Sequence, residues 1–378
     1  MSPPDPSPQR HATWFELLFD LAFVLAIAAL ARDHAASFTV TGALQFALQF
    51  LIVWHLWTAH AFWASRFDAD RIDQHLLGFG KIFAVLAIAY GVSGGTYAAV
   101  AFAVGSAAFK FLLALAYFRD AARAGQRDVG TAFGLFYSVQ GASWAVTAFL
   151  PDAFLVVAWV ILAATDFAVP LILSNHSRRA PPHHEHLPER FGLFTIILLG
   201  ETFASALHGL SHNDGLNTNA IVLSLACAGY ACLFWIGYFH HARSASARTA
   251  AAWEEKSIRW WVFAHLPFYL GLAGLSAGTI AMVGHAHQDP ATAWMQAIAA
   301  TTAMAGLTFI GLLSPQNIIR RNTAGQHFLL ASGALVLAWL EPAFGLAFFA
   351  LGLLGLLTLQ VAMAAFAHAR AEGSSMSR

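Results

Sequence analysis

The residues able to do chemistry in this sequence are acids and amines placed where water is scarce. Glu201 follows nine uncharged residues, Gly192 to Gly200, inside an apolar run from Phe191 to His208. A carboxylate at the centre of such a run costs roughly 2.5–3.5 kcal/mol to insert, so it is expected to face a bundle interior or a wet cavity and to have a partner. At about 100° per residue, Arg190, Glu201, Ser205 and His208 fall within an arc of about 60°. Near the start, Glu16 and Asp20 lie one helical turn apart on one face, with Asp20 roughly 9 Å beyond Trp14. Lys81, Lys110, Asp166 and His265 are the other ionisable groups at depth. Lys81 is the expected countercharge for Asp20 or Glu201, since an ammonium in hydrocarbon must find an acid or snorkel. Glu341, beside Pro342, reads as part of a short outer turn with no special role. The chemistry this set suggests is proton transfer, with Glu201 gaining and losing a proton during a working cycle and Asp20 as its counterpart.

The elements that must position these groups are membrane helices. Of 378 residues, 58% are hydrophobic and 11% charged, against about 25% charged in soluble domains. Apolar runs fall at 14–31, 40–63, 74–92, 95–117, 130–150, 154–173, 191–208, 218–240, 257–284, 293–313, 325–341 and 343–366, each near the length that crosses a bilayer. The fold class is therefore all-α, a polytopic membrane protein of about twelve transmembrane helices. Its parts are a disordered tail (1–13), a first six-helix half (14–173), a cytoplasmic connector (174–190), a second half (191–366) and a cytoplasmic tail (367–378).

Basic residues test this count, because cytoplasmic loops accumulate Lys and Arg. All of the 20 except Arg32, Lys81 and Lys110 fall on one side of the alternation, which places both termini in the cytoplasm. Gly91 and Gly94 echo Gly271 and Gly274, and Gly141-Ala142 with Pro151 echoes Gly333-Ala334 with Pro342. These matches suggest a parallel duplication of six helices, with a working site between the copies. The first and seventh spans are expected to pack together around a central polar cavity holding Asp20 and Glu201.

Two stretches carry a family resemblance. The run His11-Ala12-Thr13-Trp14-Phe15-Glu16-Leu17-Leu18-Phe19-Asp20, together with Glu189-Arg190-Phe191-Gly192-Leu193-Phe194 through Leu199-Gly200-Glu201, resembles the bacterial low temperature requirement A (LtrA) family. That family's name records a growth phenotype and not a reaction. A second likeness is to the first helix of the endosomal and lysosomal potassium channels, which also duplicate six helices: Asp20-Leu21-Ala22-Phe23 followed by Ala26-Ile27 is similar to their Phe-Ser-Asp segment. Here Leu18 and Phe19 stand before the aspartate in place of Phe-Ser.

Other motifs are excluded or read plainly. A net charge of zero argues against a nucleic-acid partner. Cys227 and Cys232 share one apolar run and read as packing residues. His183-His184-Glu185-His186 matches no metal-ligand spacing and reads as a solvated loop between prolines. The Ala29-Leu30-Ala31 sequence mimics a signal cleavage site, but Glu16 and Asp20 would lie in its apolar region, so the first span is expected to be retained. No Walker loop, nucleophile elbow or zinc-protease helix is present, and no cofactor is implied. The expectation is a multi-pass inner-membrane protein in contact with lipid and a small solute or ion. It would be a secondary transporter, possible coupling being to protons, rather than an enzyme; the alternatives are a duplicated cation channel or a structural, lipid-responsive protein supporting growth in the cold. Reporter fusions after Arg10, Arg123, His184 and Arg370 should all read cytoplasmic, and a periplasmic signal at any one breaks the count.

Overall fold

In hydrocarbon the backbone has no water to bond, so each apolar run closes its own hydrogen bonds as a helix. The computed structural model describes residues 11–36, 38–67, 71–94, 97–183, 185–211, 217–246, 255–284, 290–313 and 322–376. Among these there is no strand, and the helices are α1 (Trp14–Ala36), α2 (Val40–Arg66), α3 (Ile72–Val92), α4 (Ala98–Arg123), α5 (Arg127–Thr147), α6 (Asp152–Ile172), the short α7 (Ser174–Arg179), α8 (His186–Ser211), α9 (Thr218–Ser246), α10 (Glu255–Gly284), α11 (Pro290–Leu313), α12 (Asn322–Phe344) and α13 (Leu346–Met376). The chain is a polytopic all-α membrane protein. Eleven segments of the described residues are long and apolar enough to cross a membrane, one of them running through α6 and α7.

The twelfth long helix, α5, falls short of that apolarity. It lies antiparallel along α4: a Cβ added at Gly130 would sit 2.6 Å from that of Ala121, one at Gly134 2.6 Å from the Phe118 ring, and one at Gly141 3.1 Å from the Phe111 ring. Glycines at these positions let the two backbones approach closely, the usual device for joining helices that lipid does not push together. Residues 1–10, which hold most of the expected N-terminal tail, lie outside the described residues. The connector is more ordered than expected, since it contains α7 and the first turn of α8, and residues 367–376 continue α13 as a helix.

Packing repeats between the halves. In the first, α1 lies against α2 and α3, α3 against α4, α4 against α5, and α5 against α6; in the second, α8 lies against α9 and α10, α10 against α11, α11 against α12, and α12 against α13. Glycines mark equivalent crossings. A Cβ at Gly91 would meet Phe102 N at 2.6 Å and one at Gly271 would meet Ala303 N at 2.3 Å; likewise Gly105 stands over Ile88, and Gly306 over Phe268. Two of the sequence echoes do not correspond. Gly94 has a φ of 74° in the turn after α3, whereas Gly274 is mid-helix in α10; Pro151 precedes α6, whereas Pro342 lies inside α12. The halves meet where α1 and α2 touch α8 and α10.

Gly271→Ala and Gly306→Ala should each lower the unfolding midpoint in detergent, since overpacking against fixed backbone costs about 1–3 kcal/mol. Gly200→Ala and Gly355→Ala, with nothing within 4 Å, should be neutral or stabilise by up to about 1 kcal/mol through helix propensity. Equal effects at all four would remove the close-crossing account.

Candidate functional site

Two buried ionic clusters stand out. The first ties α1 to α8. Thr13-Trp14-Phe15-Glu16 is a capping box: Glu16 N donates to Thr13 Oγ1 at 3.3 Å and Thr13 N donates to Glu16 Oε2 at 2.9 Å. Glu16 thus serves its own helix terminus and also reaches across to α8, where Arg190 Nη1 donates to Glu16 Oε1 at 2.9 Å and His186 Nε2 lies 3.1 Å from Oε2. One turn deeper, Arg190 grips Asp20 with Nε at 3.1 Å and Nη2 at 2.5 Å, and Trp57 Nε1 of α2 donates to Asp20 Oδ1 at 2.8 Å. Arg190, His186, Asp20 and Glu16 are all essentially excluded from solvent. Phe191 and Phe194 close the site by packing on the Trp57 indole. Two carboxylates, one guanidinium and the His186 imidazole are thus gathered at the α1–α8 contact.

The second cluster lies between α2, α4 and α6. Lys110 Nζ donates to both Asp166 oxygens, at 2.7 and 2.8 Å, and His55 Nε2 lies 3.6 Å from Asp166 Oδ1. Lys110 and Asp166 are buried, while the His55 side chain keeps about a tenth of its surface open. Asp166 and His55 line a cavity of about 520 Å³, walled also by α5, α7 and the α10 residues Ile258, Arg259, Val262 and Phe263. The cavity therefore sits on the seam between the halves. Its other end is marked by Arg66, Ser177, Arg178, Pro181 and Pro182, roughly 16 Å along α2 from His55 to Arg66 at 1.5 Å per residue. Among the described residues no group of three or more potential metal ligands is gathered.

Several expectations need correction. Lys81 is not the countercharge of Asp20 or Glu201: its Nζ lies 3.2 Å from His60 Nδ1 and 4.2 Å from the centre of the Trp63 ring, because α3 turns this residue toward α2. Arg190 takes the partner role instead. Asp20 and Glu201 do not share a cavity, because Glu201 lies three turns beyond Arg190 on α8, about 16 Å further along the axis. Glu201 is half-buried, with Ser205 Oγ at 3.5 Å and Arg32 as the neighbouring charge. His265 is buried against α9, its Nε2 3.1 Å from Tyr238 Oη and its Nδ1 2.8 Å from the Trp261 carbonyl. Glu341 is buried within α12 and is not in an outer turn. His186 is not in a solvated loop: helix α8 begins at that residue and directs it into the bundle.

The remaining motif residues frame the first cluster. His11 Nδ1 lies 3.6 Å from Glu189 Oε1, and Ala12 N donates to Glu189 Oε2 at 3.1 Å. Phe19 packs on His60 with the rings tilted by 32° and centroids 3.8 Å apart, Gly192 faces Phe239, and Gly200 has open space around it. Trp14 points outward. His186, His55 and Arg66 escaped the sequence reading as site residues. Each stands beside apolar or aromatic neighbours in the sequence, but only the meeting of α8 with α1, of α2 with α6, and of α2 with α4 and α7 gives it a partner.

Arg190→Met should strand two buried acids and cost about 3–5 kcal/mol, seen as loss of the monodisperse protein in detergent. The triple change Glu16→Gln, Asp20→Asn, Arg190→Met should recover most of that loss. A single Arg190→Met variant as stable as the parent would show that the cluster does not tie the halves together.

Comparison with known proteins agrees with the motifs. The family described as bacterial low temperature requirement A protein (LtrA) matches residues 11–366, nearly the whole chain. An uncharacterized protein of Rhizobium meliloti (strain 1021) is 26% identical over 299 residues, covering 74% of this chain and 71% of that protein. Glu16, Asp20 and Arg190 of the first cluster belong to the two motifs, and the chain belongs to the LtrA family.

Proposed function

We propose that this membrane protein is a secondary transporter coupled to protons, seated in the inner membrane with both termini in the cytoplasm, and that it acts as a carrier rather than an enzyme. The observation that carries the reading is the Lys110–Asp166 pair with His55 at the deep end of the seam cavity. Ionisable groups at depth that face a cavity and pair with one another are the usual parts of proton relays in transporters, and carriers built from repeats hold their working site where the repeats meet.

The chemistry follows from the geometry. A proton entering along the cavity meets His55 first, the most exposed member of the cluster. Transfer from the imidazolium to Asp166 gives a neutral carboxylic acid and a neutral imidazole. Lys110 then keeps its charge but loses its counterion, a state that costs several kcal/mol in a buried site. That cost falls if an anionic group enters or if α6 moves, and α6 is the lightly held wall. Less than a third of the apolar stretch through α6 and α7 is buried. The first cluster has a different part in this reading. Buried and held by several ion-pair bonds, it fixes α1 against α8 while the seam opens and closes. Glu201 remains a second candidate proton site, apart from the cavity.

Proteoliposomes carrying an internal pH dye should give a cargo-dependent proton signal with at least one member of a panel of organic acids, amines, sugars and monovalent cations. Asp166→Asn should reduce that signal about tenfold or more, as expected when the titrating group of a relay is removed. Loss in Glu201→Gln with full activity in Asp166→Asn would move the proton site to α8. Undiminished coupling in both variants would sink the proton-linked reading.

A further inference from the structure

We infer that the seam cavity binds an organic anion with a flat apolar body, an inference that names the cargo class for the carrier proposed above. The argument starts from Arg66, the last residue of α2. Its Nε donates to the Ala180 carbonyl at 2.9 Å, Nη1 to Tyr117 Oη at 2.9 Å and Nη2 to Ser177 Oγ at 2.7 Å. The guanidinium carbon also lies 4.6 Å from the centre of the Phe133 ring. All these partners are neutral, so among the described residues no carboxylate bonded to Arg66 cancels its charge.

Arg66 stands on the cavity lining at one end, whereas the lining acid Asp166, at the other, is held by Lys110 from behind. The positive charge of Arg66 therefore faces the cavity without a carboxylate bonded to it among the described residues. The walls between that end and Asp166 are rings: Trp54, Phe62, Tyr137, Phe167 and Phe263. A volume of about 520 Å³ is within the range of small-molecule sites, which are mostly apolar with a few polar groups fixing orientation. Guanidinium binds carboxylate, sulfonate or phosphate by paired charge-assisted bonds, and aromatic walls accept a flat body by stacking. An inorganic anion would leave the aromatic walls without a partner, and a cation would meet the Arg66 guanidinium as a like charge.

The test is equilibrium binding of radiolabelled naphthoate to the purified full-length protein in nanodiscs. Competition comes from the isosteric naphthamide, which is neutral, and from naphthylmethylammonium, which is cationic. We expect saturable naphthoate binding, with both competitors weaker by about tenfold or more, the scale of one lost charge-assisted pair. Arg66→Gln should weaken binding by a similar factor. Because Arg66 also bonds the connector, Ala59→Phe serves as an independent variant: Ala59 lines the cavity away from the arginines, and the added ring should fill it and abolish binding. Oleate displacing naphthoate better than naphthoate itself assigns the carboxylate to a membrane lipid, and the reverse order assigns it to a soluble solute; either result supports the anion site. Equal competition by the amide or the ammonium, undiminished binding in Ala59→Phe, or no saturable binding overturns it. Binding is read without transport, so naphthoate that binds but does not cross vesicles would sink the carrier reading and leave the site standing.

Discussion

A guanidinium in a dry interior must be surrounded or it will not fold there, and Arg190 sets that condition for this protein. Its charge is met by Glu16 and Asp20, its carboxylate partners by His186 and Trp57, and the whole group by the rings of Phe191 and Phe194. Desolvating these ions costs several kcal/mol each, so the cluster need not add stability over an apolar core. Its effect is on arrangement: a helix slipped by one residue leaves buried charges unpaired. The relative depth of α1, α2 and α8, and with it the position of the seam between the halves, follows from this requirement.

Glycine does the complementary work elsewhere. At the α3–α4 and α10–α11 crossings, side chains are absent where backbones touch, so dispersion contacts between helices replace a hydrophobic force that lipid cannot supply. The cavity lies beside α6, which contains no glycine to make such a crossing. Helix α6 pairs with its neighbours through Lys110–Asp166 and through Gln140 Nε2, which donates to Thr165 Oγ1 at 2.5 Å. Polar ties of this kind can exchange partners without opening a packed core.

Much of the fold was legible in the sequence because hydrocarbon thickness fixes helix length. The acids Glu16, Asp20 and Asp166 were also visible as charges inside apolar runs. Their partners were not. Arg190 and Arg66 read as topological charges at helix ends, and nothing local says that one turns inward to Asp20 while the other lines a cavity. Lys110 and Asp166 stand 56 residues apart, and their meeting depends on α4 and α6 being neighbours, which hydropathy does not encode. The prolines around His186 point to a loop, whereas helix α8 starts at that residue. Glu201 stands out in the sequence by its depth, yet depth alone does not say which neighbour a side chain meets.

The halves share one order of packing, yet the bridge across them is one-sided: at that depth α1 supplies the acids and α8 the base. Two identical six-helix chains related by a two-fold axis would make every such contact twice or not at all. A single bridge requires α1 and α8 to differ in charge, which one chain carrying both helices supplies. Any attempt to rebuild the protein as a homodimer of either half would accordingly bring like charges together at its centre.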